Sequence, residues 1–568
     1  MDAFLQRITE SSPTGGLTRP AWIVLMLLAA VTLSTGIFSV PPMDRDESRY
    51  AQAARQMMES GDYLNINFQE YDRHKQPAGS YWLQTVAAAP FGGADAPIGA
   101  HRLPGFLFAL LAVAITAWMG ARFFSPPVGL AAGIVLAICL TLSVEARTAK
   151  TDAILLGFGM IAQASLMVLM LQVKEARPKF IGWPAVMWGA IGLTLLVKGP
   201  IFFMVTALTA IAFTAWKRDP KLLLKLRPEF GVPLALLIFG PWFIAINLET
   251  DWAFYYEAVG HSMLDKVGEA QEAHSGPLGF HIGLTAVTLW PGVALLALGV
   301  LAAWAHRSDD RIKFLISWII PVYIVFEFVA TKLPHYTLPA FPAMAMLIGF
   351  GLVNAQSLLS GLWQRAAHWA LGAVAIMVAL VLSAAPVIAN RELGREPDLA
   401  AWITIGFGAV AAVAILALLL RPSLKRLLGV GVSAAALYAC AFAVAIPAID
   451  PLWSSHRVAQ IANSFEGCEV QHRTIAGYRE PSNAFNLGTA TWLAHSGTDA
   501  AEFLLEHRAC GLAIVDAAEQ EAFLAVTSAA GAELTALARM NGYNSVKGDD
   551  LSLTFYTLDG SGLTAPAR

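Results

Sequence analysis

Thirteen apolar runs, separated mostly by short polar loops, constrain this chain more than any other feature. They fall at about 21–40, 103–121, 128–144, 153–171, 183–197, 201–216, 230–247, 279–304, 314–330, 336–353, 366–388, 400–420 and 427–449. A helix crossing a bilayer takes about 20 mainly apolar residues, and its backbone polar groups must be satisfied internally. The pattern therefore predicts an α-helical polytopic membrane protein with about 13 transmembrane helices. Composition agrees: of 568 residues, 56% are hydrophobic and 14% charged, against about 25% charged in soluble domains. That excludes a soluble enzyme and a disordered chain. A formal net charge of −3 leaves no global basic field for nucleic acid.

Lys and Arg gather in alternate loops, at 174–179, 217–227, 307–313 and 421–426. The positive-inside rule then predicts a cytoplasmic N-terminus; if the host is a Gram-negative bacterium, the membrane is its inner (plasma) membrane. An odd number of spans puts residues 451–568 on the opposite, periplasmic side of the 1–450 transmembrane domain. The tail alternates short apolar runs (Thr474–Ala476, Leu512–Val515, Leu551–Tyr556) with helical stretches (Ala500–His507, Glu519–Ala529), which predicts a small C-terminal α/β periplasmic domain. Cys468 and Cys510 lie in that tail, and an oxidising compartment would let them pair; the sequence leaves open whether their geometry allows it.

The first outer loop, 41–82, is unusually long and polar for this chain. It opens with Asp44, Arg45, Asp46, Glu47 and Arg49. Apolar positions then recur at helical spacing (Tyr50, Ala53, Ala54, Met57, Met58), as in an amphipathic helix lying at the membrane interface. Asp46 stands at the start of that helix, where it either caps the helix or does chemistry. Other charges fall at helix ends on the same face: His74 and Lys75; Arg147, Lys150 and Asp152; Lys198; and Lys332, His335 and Tyr336. A lone lysine there snorkels to the headgroups. Four loops that each present a cation, beside carboxylates at Asp46 and Asp152, instead suit a phosphate or pyrophosphate. The larger 248–278 loop adds mainly acidic residues and His261.

In ordered sequence these elements resemble the polyprenyl-phosphate-dependent membrane glycosyltransferases of the GT-C superfamily, in particular the bacterial branch of lipid A aminoarabinose transferases and relatives of protein O-mannosyltransferases. The matching elements are Asp46-Glu47-Ser48-Arg49-Tyr50, Lys75-Gln76-Pro77 with Tyr81-Trp82, Thr151-Asp152-Ala153, Lys198-Gly199-Pro200, Pro241-Trp242 and Lys332 to Pro339. One residue, Gln76, separates Lys75 from Pro77, where the family pattern has none. The resemblance implies inverting transfer of a sugar (aminoarabinose, hexuronic acid or another) from undecaprenyl or another polyprenyl phosphate to lipid A or another envelope acceptor. It further implies Asp46 as the primary catalytic carboxylate, with Glu47 beside it and Asp152 as the second. Arg49, Tyr50, Lys75, Tyr81, Arg147, Lys198, Lys332 and Tyr336 become substrate-binding groups. No cofactor is implied with certainty. Several relatives hold a divalent metal ion, for which His74 and His261 are the candidate ligands here. The competing expectation is a transporter or flippase of a lipid-linked anion. Its paired charges belong at mid-membrane, whereas these sit at helix ends.

Overall fold

The computed structural model describes residues 16–566 except 176, 180, 265–275 and 469–470. Each of the thirteen apolar runs carries a helix. By length and composition alone, seven helices can cross a membrane, or eight if one sharply bent pair forms a single span. Two runs depart from a continuous helix. The 128–144 run breaks at Ile138 and Cys139 into Pro126–Ala137 and Leu140–Glu145. The 279–304 run bends by 107° between Phe280–Thr288 and Gly292–Ala305. The chain is a multi-pass membrane protein.

Small residues let the helices approach closely, which is how apolar helices associate where no water is expelled between them. A side chain at Gly129 would stand 2.4 Å from the Ala117 carbonyl oxygen on the neighbouring Ile98–Phe123 helix. Gly199, at φ +71°, turns the chain between Gly182–Lys198 and Ile201–Lys217 and leaves Lys198 at a helix end.

The first loop is a folded unit. The helix Asp46–Ser60 is followed by a two-stranded ribbon, β1 (Asn67–Phe68) against β2 (Tyr71–Asp72), and then by the helix Gly79–Ala88. The sequence predicted one apolar face on Asp46–Ser60. The structure covers two. Tyr50, Ala53 and Met57 pack with Ala78, Tyr81, Leu196 and Trp242. Ala51 packs with Phe485 of the C-terminal domain. Polar Gln52 is buried as well, because it finds a partner there.

The C-terminal domain is a five-stranded sheet built from β3 (His472–Ala476), β4 (Trp492–Leu493), β5 (Gly511–Asp516), β6 (Leu534–Asn544) and β7 (Asp549–Leu558), in the order β4-β3-β5-β7-β6. β3 runs parallel to β4 and β5; β7 runs antiparallel to β5 and β6. Side chains alternate across the sheet with the strand period of two. Leu512, Ile514, Leu553 and Phe555 face the helix Ser454–Asn463, while Ala513, Val515 and Tyr556 face Gly497–Glu506 and Gln520–Ala529. Cys468 and Cys510 are joined by a disulfide.

Candidate active site

Where helix ends meet the first loop, charges that the sequence holds far apart come together. Asp152 opens the helix Asp152–Leu171, and Lys198 closes Gly182–Lys198; Lys198 Nζ donates to Asp152 Oδ1 at 2.6 Å. His335 stands between two carboxylates, with Nε2 3.7 Å from Asp152 Oδ2 and Nδ1 3.5 Å from Glu145 Oε1. Lys150 Nζ lies 3.5 Å from the same Glu145 oxygen.

Asp46 faces this network from the first loop. It is the first residue of its helix, after Arg45 at φ 58°, and the capping position makes no side-chain cap bond. Its side chain is 61% exposed, 3.8 Å from Arg49 Nη1. Burial beneath the surrounding groups would raise its pKa, but Lys150, Arg73, Arg49 and Lys198 outweigh that and hold the carboxyl below the usual range. Lys150 is held above its ordinary value: Glu145, Asp152 and Asp46 overcome the effect of burial. Tyr50 and Tyr81 are buried and stacked, with centroids 5.1 Å apart. Arg73 lies over Tyr50 at 5.2 Å and donates to the Tyr81 hydroxyl at 3.3 Å, so the two rings aim a guanidinium toward Asp46.

Beside Asp46 opens a cavity of about 570 Å³, lined by Arg49, Arg73, His74, Lys75, Tyr256 and Glu257 among others. Lys75 is exposed within it. Tyr336 is half-buried, its ring 5.3 Å from that of His335.

Four expected site residues are already engaged by other groups, three of them away from the cavity. Glu47 is buried against Arg102, which donates to both its carboxylate oxygens at 2.8 Å, and Glu47 also accepts from the backbone amides of Met43 and Ala149. Its carboxylate is 1% exposed, and both of its oxygens are taken by these bonds. Arg147 is likewise enclosed. It donates to Thr35 O at 2.5 Å, to the carbonyls of Thr32 and Ser143 and to two hydroxyls, and it lies 4.2 Å over Phe442. Lys332 is 6% exposed and donates to Glu327 O at 2.6 Å. Glu327 in turn accepts from the amides of Gly279, His281 and Ile282, which start the first half of the bent pair. Lys332 therefore braces that bend and does not face the cavity. His74, the fourth, pairs with Asn65 Oδ1 at 2.9 Å, its ring edge-on to Phe254.

The imidazole of His261 lies outside the described residues, as do Asp265, Lys266, Glu269, Glu272 and His274 of the same loop. Among the described residues no three His, Cys, Asp or Glu side chains are placed to hold a metal ion. Arg102 and Arg73 carried no signal in the sequence. Glu145 carried none either, and Lys150 and His335 showed only as charges near Asp152 and Tyr336.

The fold is an ArnT-like GT-C fold. Residues 17–251 match the family described as dolichyl-phosphate-mannose-protein mannosyltransferase. An undecaprenyl phosphate-alpha-4-amino-4-deoxy-L-arabinose arabinosyl transferase of Pseudomonas paraeruginosa is 26% identical over 347 residues, which cover 59% of this chain and 60% of that relative. The chain thus matches about 60% of the length of this curated relative. The crystal structure of ArnT from Cupriavidus metallidurans bound to undecaprenyl phosphate superposes with a TM-score of 0.73 at 19% identity, covering 94% of this chain and 98% of that one. The Archaeoglobus fulgidus oligosaccharyltransferase superposes with a TM-score of 0.50 at 11% identity, over 85% of this chain and 65% of that one.

Proposed function

We propose that the protein is an inverting glycosyltransferase that moves a sugar from undecaprenyl phosphate to lipid A or another envelope acceptor at the periplasmic face of the inner membrane. The observation that carries this reading is one carboxylate, Asp46, ringed by Lys150, Arg73, Arg49 and Lys198 beside a cation-lined cavity. The likeness to relatives named for undecaprenyl-phosphate sugar transfer supports it. So does the disulfide in the C-terminal domain, since such bonds persist in oxidising compartments. The N-terminus is then cytoplasmic, the C-terminal domain is periplasmic, and the thirteen helical runs are the thirteen spans.

In the proposed reaction the prenyl chain lies among the helices with its phosphate in the cavity. An acceptor oxygen attacks the anomeric carbon from the face opposite the phosphate. The bond from that carbon to the phosphate oxygen breaks, its electron pair goes to the phosphate, and the configuration inverts. Arg49, Arg73 and Lys75 stabilise the charge that grows on the leaving phosphate. Asp152, held by Lys198, completes the acid side. Asp46 is kept ionised by its neighbours, so it orients the acceptor or takes the proton of a hydroxyl acceptor.

The test uses purified protein in lipid nanodiscs with a radiolabelled undecaprenyl-phosphate sugar and lipid A. Label appearing on the acceptor supports the proposal. The same protein in vesicles, moving intact carrier between leaflets without transferring the sugar, would establish a flippase instead.

A further inference from the structure

The first-loop helix is gripped from outside the bundle by a segment more than 420 residues away in the chain. Ser482 Oγ donates to Asp44 Oδ1, two residues before Asp46. Arg55 Nη1 donates to the Phe485 carbonyl at 2.6 Å, and its guanidinium lies 4.5 Å from the Phe485 ring centroid. Gln52 Nε2 donates to Thr489 Oγ1 at 2.7 Å, and Gln69 Nε2 donates to the carbonyls of Thr489 and Thr491. These contacts run along the helix from just before its start to its middle and on to β1 and β2. The face they cover is the one opposite Tyr50, Ala53 and Met57.

The segment that makes them is itself rigid. Ser482, Asn483 and Ala484 are fully buried, and Asn483 donates to Tyr478 O at 2.9 Å. The chain between Asp44 and Asp46 takes a left-handed conformation at Arg45, which a non-glycine residue holds only when its surroundings impose it. Its two sides are fixed by Ser482 on Asp44 and by Arg102 on Glu47. The Asp46 side chain itself is largely exposed, so its direction is set by this backbone and not by packing around the carboxylate.

We infer that the C-terminal domain is a clamp on the first loop, with Ser482 and Phe485 as positioning residues that set where Asp46 stands relative to Asp152 and Lys198. The clamp acts on the site proposed above and rests on that reading. Because the donor phosphate sits among Arg49, Arg73 and Lys75, loosening the clamp should cost the chemical step more than donor binding.

Four full-length variants test this: Ser482→Ala, Ser482→Thr, Asp44→Ala and the Ser482→Ala/Asp44→Ala double. Misplacing a reacting group by about 1 Å costs up to about 100-fold in rate. Turnover should fall about 10- to 100-fold in Ser482→Ala and in Asp44→Ala, with donor KM unchanged, and should fall no further in the double. Ser482→Thr keeps the hydroxyl and should restore turnover. Wild-type turnover in Ser482→Ala, additive losses in the double, or a loss confined to KM would overturn the clamp. A second measurement does not depend on transfer: Gln52→Cys, at a position buried under Thr489, is labelled with a membrane-impermeant maleimide. Labelling should quicken when Ser482→Ala or Arg55→Lys is added, and unchanged labelling in both backgrounds also overturns the inference. Should wild-type protein transfer no sugar, the transfer reading fails while the labelling still decides the clamp.

Discussion

Lys198 and Asp152 close the ends of two helices onto each other across 2.6 Å, each side chain 12% exposed. A pair so enclosed leaves an uncompensated charge when one partner is removed. Lys198→Met and Asp152→Asn are each expected to lower sugar transfer at least about 100-fold, and the double variant by no more than the worse single, since contacting residues are not additive. Turnover of the three proteins under saturating donor checks this; additive losses would separate the two residues into independent roles.

Asp46→Asn should abolish transfer while leaving insertion, yield and thermal stability at wild-type values, because the Asp46 side chain is mostly exposed and packs little. Its lowered pKa fixes the sign of the pH dependence. Asp46 is ionised throughout neutral and mildly acid pH, so the Asp46 charge is lost only below the ordinary carboxylate range of about 4. A wild-type pH–rate profile with no acid limb above about pH 5 agrees with this.

Glu47 shows the opposite behaviour although it is the next residue. Its carboxylate and the Arg102 guanidinium are 1% and 0% exposed. Breaking a buried pair costs about 3–5 kcal/mol, so Glu47→Gln or Arg102→Met should lower the unfolding temperature and the yield of folded protein. Thermal unfolding in detergent distinguishes this from the catalytic loss at Asp46.

Lys75 is exposed in the cavity beside Asp46. A hydrogen bond to a charged group contributes about 1.5–3 kcal/mol. Lys75→Met should therefore raise donor KM by roughly 10- to 100-fold, with a smaller change in turnover. Arg147→Met should change stability and leave donor KM alone, because its donors are already occupied within the bundle.

The contact between Asp44 and Ser482 is pH-dependent. Burial, and Glu480 nearby, push the Asp44 carboxyl up to about 6 against the bonds from Ser482 and Tyr478. A raised pKa in the docked state means that docking takes up a proton. Docking is therefore strongest at acid pH and loses that contribution as pH rises through about 6. Wild-type thermal stability should decline between pH 5 and 7.5 relative to Asp44→Asn. Parallel curves would show that Asp44 does not titrate in the contact.

Some of this was legible in the sequence, because it depends on neighbours in the chain. Apolar runs of the right length made the helices, and short apolar runs at Leu512–Val515 and Leu551–Tyr556 placed β5 and β7. β6 gave no such pattern, since as an edge strand its side chains are only partly covered. The Asp46 motif pointed to the first loop because so many charges there were out of character for this chain. The sequence could not say which of two adjacent acids, Asp46 or Glu47, stays exposed, or that Lys198 reaches a carboxylate at the site while Lys332 braces a bent helix. Those outcomes rest on Arg102, 55 positions from Glu47, on Asp152, 46 from Lys198, and on Glu327 at the bend. A charge at a helix end costs free energy unless something far along the chain meets it, and only the packing of the whole bundle decides which partner arrives.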